Sequence, residues 1–407
     1  MLTDRELEKL IQPIITRQEN INNYVIQVIA ERVKDIENLL PSDVYKLERL
    51  LKSGQDVRKI NKEIARLTGL NEREIKKLIQ TVAEDAYIDA KPYYDYRNLP
   101  YIPLEQNTAL RIAVEAIAKQ TVDTYVNLSK AQAFMIRDLK NPSKLIPTTV
   151  SKTYYSVIDE AVQASQSGTT DYHTAMRRTL KQLADSGLRS VEYNTESGRR
   201  FTQRLDTAVR RNLLDGVRAI NQKVQDITGE QFGADGKEIT VHANSAPDHE
   251  PVQGHQFTNE EFEKLQNDEP FEDVDGEKFD AIARPIGVLN CRHFTYSIII
   301  GLSKPNFTKA QLQKMKAENQ RGYTAPDGTH YTMYECTQRQ RAYETKIREQ
   351  KERQMLFEQS GDAVGAQEAR AKVVELQKKY RAFSRACGLS IKNEKTSVLG
   401  YKNQIKI

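Results

Sequence analysis

Tryptophan is absent from the 407 residues, and cysteine occurs only three times. Three scattered thiols give no disulfide framework, so the chain reads as a protein of a reducing compartment. No run approaches the roughly 20 apolar residues that a membrane-spanning helix needs. The most apolar stretch, Tyr296–Leu302, has the length of a strand. The N-terminus, M-L-T-D-R-E-L-E-K-L, is charged and reads as helix from the start, unlike a signal peptide. Walker, Gly-x-Gly-x-x-Gly and Gly-x-Ser-x-Gly motifs are all missing. Nucleotide-driven motors and dehydrogenases therefore find no support.

What is present is polar and long. A hydrophobic fraction of 38% and a mean hydropathy of −0.67 suit several small cores or long two-faced helices better than one thick interior. The length itself predicts two to four domains. The net charge of +5 is unevenly spread: from Thr308 onward, 20 Lys and Arg stand against 11 Asp and Glu. Glu260–Asp280, by contrast, holds ten acidic residues and two lysines. A basic tail of this kind is either a solvated helix face or a surface for nucleic acid or an acidic protein.

The spacing predicts an α+β, predominantly α-helical chain. Residues 1–90 form an N-terminal helical array: a helix after Thr3 carrying Leu7, Leu10, Ile11 and Ile14, a second over Ile21–Leu40, and a third from Ser42 closed by Gly54. Val57–Thr68 and Glu72–Asp85 follow as two helices separated by a turn at Gly69–Asn71. Residues 91–235 open with an extended connector rich in Pro and Tyr, whose tyrosines are expected to pack over helices. Helices at Thr108–Leu139 and Ser151–Asp185 come next, then a long Arg-rich one at Arg199–Thr228 stopped by Gly229. Residues 236–305 form a small α+β unit with strands at K-E-I-T-V-H-A and F-T-Y-S-I-I-I, and a hairpin turning at Asp275-Gly276. Residues 306–407 form a basic helical region: a short hairpin at Y-T-A-P-D-G-T-H-Y, then paired long helices at Tyr334–Gln359 and Asp362–Cys387.

The reactive residues concentrate between Val241 and Gly301, which holds Cys291 and four of the six histidines: His242, His249, His255 and His293. On a strand, Cys291 and His293 share a face. With His242 facing them and His249 or His255 folding back, the set matches a tetrahedral zinc site. Close zinc spacings such as Cys-x-x-Cys are missing. Three readings stay open. The preferred one is a hydrogen-bonded polar core. The second is a structural metal site at His242, His249, Cys291 and His293. The third is a Cys291 nucleophile served by His249 or His293 and oriented by Asp248, which the apolar V-L-N before Cys291 weakens because it suggests a buried, inert thiol. D-V-D-G-E-K-F-D resembles a calcium loop but fails it, because Phe271 and Ile282 occupy the first and twelfth positions.

The order of these segments resembles a known family. P-Y-I-P-L-E-Q-N leading into a helix that ends V-N-L-S-K is one block. The Arg-rich Arg199–Thr228, then H-x-x-x-x-P-D-H-x-x-x-Q-G-x-x-F over His242–Phe257, then N-C-R-H over Asn290–His293, is the second. Y-x-M-Y-E-C-T-Q-R-Q-R and Y-R-A-F-S-R-A-C-G-L form the third. Together they resemble the phage minor capsid protein 2 family, which belongs with the Mu F-like head-morphogenesis proteins of tailed phages. The resemblance implies a virion structural protein and not an enzyme. It implies low-copy incorporation during head assembly, a place inside the head or at the portal vertex, and portal or major capsid protein as partner. No membrane association is expected, and no cofactor beyond a structural zinc. Packaged double-stranded DNA is a further candidate partner, bound without sequence specificity through Lys351, Arg353, Lys378, Lys379, Arg381 and Arg385. The alternatives are a metal-dependent hydrolase or nuclease centred on the His/Cys cluster, and a host-directed binding protein released with the DNA.

Overall fold

The structure is a computed structural model that describes residues 2, 4–37, 54–137, 141, 143–167, 172–193, 200–273, 276–280, 282, 284–287, 291, 293–398 and 400–401. Thr3, the segment from Ser42 to Ser53, Asp275 and the Val288–Asn290 lead-in to Cys291 lie outside the described residues.

Where the sequence suggests two helices, a single α1 (Asp4–Glu37) runs through Pro13. Its buried stripe is unbroken: Ile11, Ile14, Gln18, Ile21, Asn22, Val25 and Ile29 follow helical spacing. Gln18 and Asn22 hide the stripe from a hydropathy reading, but each has a tertiary partner. Asn22 Oδ1 accepts from the Leu188 amide at 2.7 Å, and Gln18 Oε1 accepts from the Tyr125 hydroxyl at 3.5 Å. Helix α2 (Gln55–Ile88) likewise passes through the expected break at Gly69–Asn71. Asn71 is fully buried, and its amide donates to the Ile14 carbonyl at 3.3 Å and the Tyr125 hydroxyl at 3.0 Å. Those bonds satisfy the side chain in place, and Gly69 costs the helix only about 1 kcal/mol relative to alanine.

The expected connector begins as a short helix, α3 (Lys91–Tyr96), with Pro92 in its first turn where a missing N–H costs nothing. A 3₁₀ turn at Leu104–Gln106 leads into α4 (Thr108–Lys130). The chain then forms β1 (Gln132–Arg137), β2 (Leu145–Thr149), α5 (Val150–Ser167), α6 (Tyr172–Ser186), β3 (Arg189–Tyr193) and β4 (Arg200–Arg204). These strands form an antiparallel sheet in the order β2-β1-β3-β4, which corrects the helical reading of residues 132–137 and 200–204. Short mixed runs adjoining true helices carry no decisive period. Pro147 sits on the edge strand β2, where its missing N–H is tolerated.

Helix α7 (Leu205–Phe232) continues past Gly229 and stops at Gly233, which has φ +73°. Gly229 serves close packing instead: a Cβ there would lie 2.5 Å from Ser297 Oγ. Next come β5 (Gly236–Ile239), β6 (Gln256–Thr258), α8 (Asn259–Gln266), the hairpin β7 (Phe271–Glu272) and β8 (Lys278–Phe279), and β9 (Thr295–Ile298). The C-terminal region has α9 (Lys309–Arg321), the hairpin β10 (Tyr323–Thr324) and β11 (His330–Tyr331), and the long helices α10 (Met333–Ser360) and α11 (Ala363–Ala386). Both hairpins and the helix pair stand where the sequence placed them, and the fold class is α+β and predominantly helical. Among the described residues no helix is long and apolar enough to cross a membrane.

The chain divides into two compact units. One comprises Met1–Ile11, Glu74–Thr124 and Arg211–Arg339, and contains the sheet β6-β5-β9. Ile239, Val252, Phe257, Leu265, Phe279, Ile282 and Ile286 form the core beneath that sheet. Tyr93 stacks on Phe232 at 4.7 Å and Tyr87 on Tyr101 at 4.5 Å, so the tyrosine-rich stretch packs as expected.

The other unit comprises Gln12–Arg73, Tyr125–Arg210 and Gln340–Ile407. It contains the four-stranded sheet and a buried charge network. Arg204 Nη1 and Nη2 donate to the Glu352 carboxylate at 3.1 and 2.7 Å, and Arg348 lies 3.4 Å from Asp206. Deleting one partner of such a buried pair costs about 3–5 kcal/mol, because the other is left uncompensated. Glu19 sits among these groups. Burial, with the charges of Asp206 and Glu352, pushes its carboxyl up to about 7 against the pull of Arg348 and Arg204. Asp206 shifts the other way: burial works upward, but Arg204 and Arg348 hold it below the usual carboxylate range. A raised folded-state pKa stabilises at pH below the unfolded value, and that contribution is lost as pH rises through the folded value. For Glu19 the window runs from its ordinary 4.5 to about 7. Glu19→Gln is therefore expected to melt higher than the wild type at pH 8, with the gap closing toward pH 4. A pH-independent gap in thermal melts would contradict this placement of the charge.

Candidate functional site

The Pro247–Gln253 turn brings His249 inward. Its first bonds are local: the His249 and Glu250 amides both donate to the Ala246 carbonyl, and the Gln253 amide donates to the His249 carbonyl at 3.2 Å. Gly254, at φ +76°, then donates its amide to the Ile239 carbonyl at 2.8 Å and returns the chain to the sheet. Cys291 and His293 lie on the segment just before β9 rather than within a strand. Their side chains nevertheless converge, with Cys291 Sγ 3.3 Å from His249 Nδ1 and 3.4 Å from His293 Nδ1. The three residues are 5%, 1% and 5% exposed in the order Cys291, His249, His293.

Hydrogen bonds assign the imidazole protons. His249 Nε2 lies 2.7 Å from the Arg284 carbonyl, which can only accept, so Nε2 carries the proton. Gln253 Oε1 accepts from the His242 amide at 3.0 Å, so it is an acceptor toward His293 Nε2 at 3.3 Å as well. Both rings thus turn an Nδ1 lone pair toward the same sulfur. Arg284 also donates through its guanidinium to Asp248 Oδ2 at 3.0 Å, which lies 3.7 Å from His249 Nε2.

The electrostatics follow from this packing. Burial works to raise the Cys291 thiol, but His249 and the amides of Gly287 and His293 bring it below its ordinary value. Burial works to lower His249, but contact with Cys291, the Arg284 carbonyl and Asp248 hold it above its usual value. His293 is pushed down to about 3 by burial and by the charges of His242, His249 and Arg284, so its ring stays neutral. A thiol inclined to ionise between two nitrogen donors suits either a metal or a nucleophile. Burial is unfavourable to the nucleophile.

His242 packs edge-on against His293, with ring centroids 4.7 Å apart, but does not join the three converging donors. It lines a cavity of about 480 Å³ with Leu214, Val217, Arg218, Thr240 and Phe294. His255 takes no part: its ring lies 5.2 Å from that of Phe279, and burial holds it below its ordinary pKa. Gln253 and Arg284 organise the cluster, yet neither was singled out from sequence. Gln253 had a signal, being the Gln of the Q-G pair in the second motif block. Arg284 acts partly through its carbonyl, which no side-chain pattern reveals.

The basic candidates separate in the same way. Lys378, Lys379 and Arg385 are exposed on α11, Arg381 is half-buried, and Lys379 pairs with Glu375 at 2.6 Å. Lys351 is 8% exposed, and its ammonium donates to the Thr396 carbonyl at 2.7 Å. Arg353 is held by Asp185. Lys351 and Arg353 therefore serve the packing of their own unit.

The described residues are mostly helical, and the reactive side chains His249, Cys291 and His293 are buried. The sequence matches the family described as phage minor capsid protein 2 over residues 2–384, and the chain belongs to that family. It is accordingly a structural protein of a bacteriophage head and a component of the virion. No curated protein and no solved structure matches the chain.

Gln253 provides a test of the cluster's organisation. Gln253→Ala strands the His242 amide and His293 Nε2, and is expected to cost roughly 1–3 kcal/mol in chemical denaturation. A loss under about 0.5 kcal/mol, the range of neutral surface changes, would show that Gln253 does not organise the site.

Proposed function

We propose that this protein is built into the head at low copy during assembly, docking on portal or capsid subunits inside the head or at the portal vertex. The observation that carries this reading is where its exposed apolar side chains fall. Ile88, Tyr96, Leu99, Ile102 and Ile112 are 62%, 57%, 36%, 37% and 56% exposed and come from one stretch of chain. That stretch includes the P-Y-I-P block by which the sequence resembles its family. Among the described residues, Leu145, Leu302, Val364 and Val374 are exposed elsewhere, but no other stretch gathers as many, and exposed apolar residues gathered in this way suit a partner. The basic residues Lys378, Lys379, Arg381 and Arg385 on α11 support contact with packaged double-stranded DNA through its phosphates, without sequence specificity. The burial of His249, Cys291 and His293 favours a structural role for the cluster over a hydrolase or nuclease.

Replacing Ile88, Ile102 and Ile112 together by Asp is expected to leave folding nearly unchanged, since the side chains are exposed. The variant should be depleted from purified virions when the wild-type protein is detected there by mass spectrometry. Normal incorporation would remove this surface from the docking role. Reversing Lys378, Lys379, Arg381 and Arg385 to Glu is expected to preserve incorporation but abolish salt-sensitive binding to double-stranded DNA. Unchanged DNA binding and delivery would rule out the DNA contact.

A further inference from the structure

We infer that His249, Cys291 and His293 form a zinc site that closes the unit containing the sheet β6-β5-β9. The ligand atoms lie within 4.8 Å of one another. With Zn–S near 2.3 Å and Zn–N near 2.0–2.1 Å, the sulfur-to-nitrogen edge of a tetrahedron is about 3.5 Å. The structure has edges of 3.3 and 3.4 Å. Three further observations point the same way.

First, the tautomers are those of ligands. Each ring gives its Nε2 proton to an outer acceptor, the Arg284 carbonyl for His249 and Gln253 Oε1 for His293, and each leaves Nδ1 free to bind. Outer partners of this kind orient metal-bound imidazoles and raise their basicity. Second, two Nδ1 atoms face one sulfur, whose single hydrogen can serve only one of them. A cation resolves that conflict by accepting all three lone pairs, and the displaced thiol proton leaves to solvent. Third, the donor set of one thiolate and two imidazoles is borderline-soft, which suits zinc over magnesium or calcium.

The site belongs to the structural class. The neighbouring cavity is lined by His242 but not by the three donors. His242 is in ring contact with His293 at 4.7 Å and is the donor that a closed tetrahedron would draw in. Metal there would tie the Pro247–Gln253 turn to the lead-in of β9, two segments that the chain separates by the whole acidic insert.

The experiment uses the full-length protein. Elemental analysis of the purified protein is expected to give one zinc per chain. Stripping with a chelator should lower the melting temperature by roughly 5 °C or more, with recovery on adding zinc. Cobalt added to the stripped protein should produce the thiolate charge-transfer and intense visible bands of a tetrahedral site. Cys291→Ser should lose the metal and the charge-transfer band, while Cys336→Ser retains both. His242→Ala should bind zinc more weakly. Absence of zinc together with absence of the cobalt bands overturns the site, even if Cys291→Ser fails to fold, because both are read on the wild-type chain. Copper in place of zinc, or metal retained in Cys291→Ser, overturns it as well.

Discussion

The unit that contains the sheet β6-β5-β9 depends on how α7 holds the edge of β9. Strand β9 lies at the end of the order β6-β5-β9, so among the described residues one side of its backbone has no strand neighbour. Two glutamines, one helical turn apart on α7, supply the missing bonds. Gln222 Oε1 accepts from the Thr295 amide and Gln225 Oε1 from the Ser297 amide, each at 3.0 Å. An unsatisfied buried amide would cost about 1–3 kcal/mol apiece. Gly229 allows the close approach, since any side chain there would strike Ser297. The clamp also prevents another strand from pairing at that edge.

Placement of the polar cluster follows from the clamp. Cys291 and His293 lie a few residues before β9, and His249 comes from a turn anchored on the other side by the Gly254 amide bond to Ile239. Gln253 joins the two, accepting from the His242 amide and from His293. The cluster is thus a consequence of sheet geometry as much as of its own chemistry. Within the other unit, the network of Arg204, Glu352, Asp206 and Arg348 has an equivalent task. It joins the end of β4 to α10 by paired charges that each need the other.

Much of this was legible in the sequence. Hydrophobic periodicity marked the start of α1 and the length of α7, and turn chemistry marked both hairpins, because those signals are local. The failures have two causes. Gln18 and Asn71 fall between helices expected from the sequence, and both are buried side chains with partners more than fifty residues away. Strands β1 and β4 were hidden because a strand of five or six residues beside a long helix has no period of its own. At the site, His249, Cys291 and His293 were identifiable as rare reactive residues in one segment. Gln253 and Arg284 were not, because one is a common amide and the other contributes a backbone carbonyl.

The sequence by itself determined the family, the helical character of the chain, the uneven charge, and the segment that holds its reactive residues. Each of these depends on residue identity and short-range spacing. Only the tertiary structure decided which histidines meet the cysteine, which face of each imidazole is free, and which lysines stay in solvent. Lys351 and Lys379 cannot be told apart by composition, yet one donates into its own unit and the other lies at the surface. Such distinctions arise from which atoms remain unpaired once distant segments pack, and no local pattern encodes them.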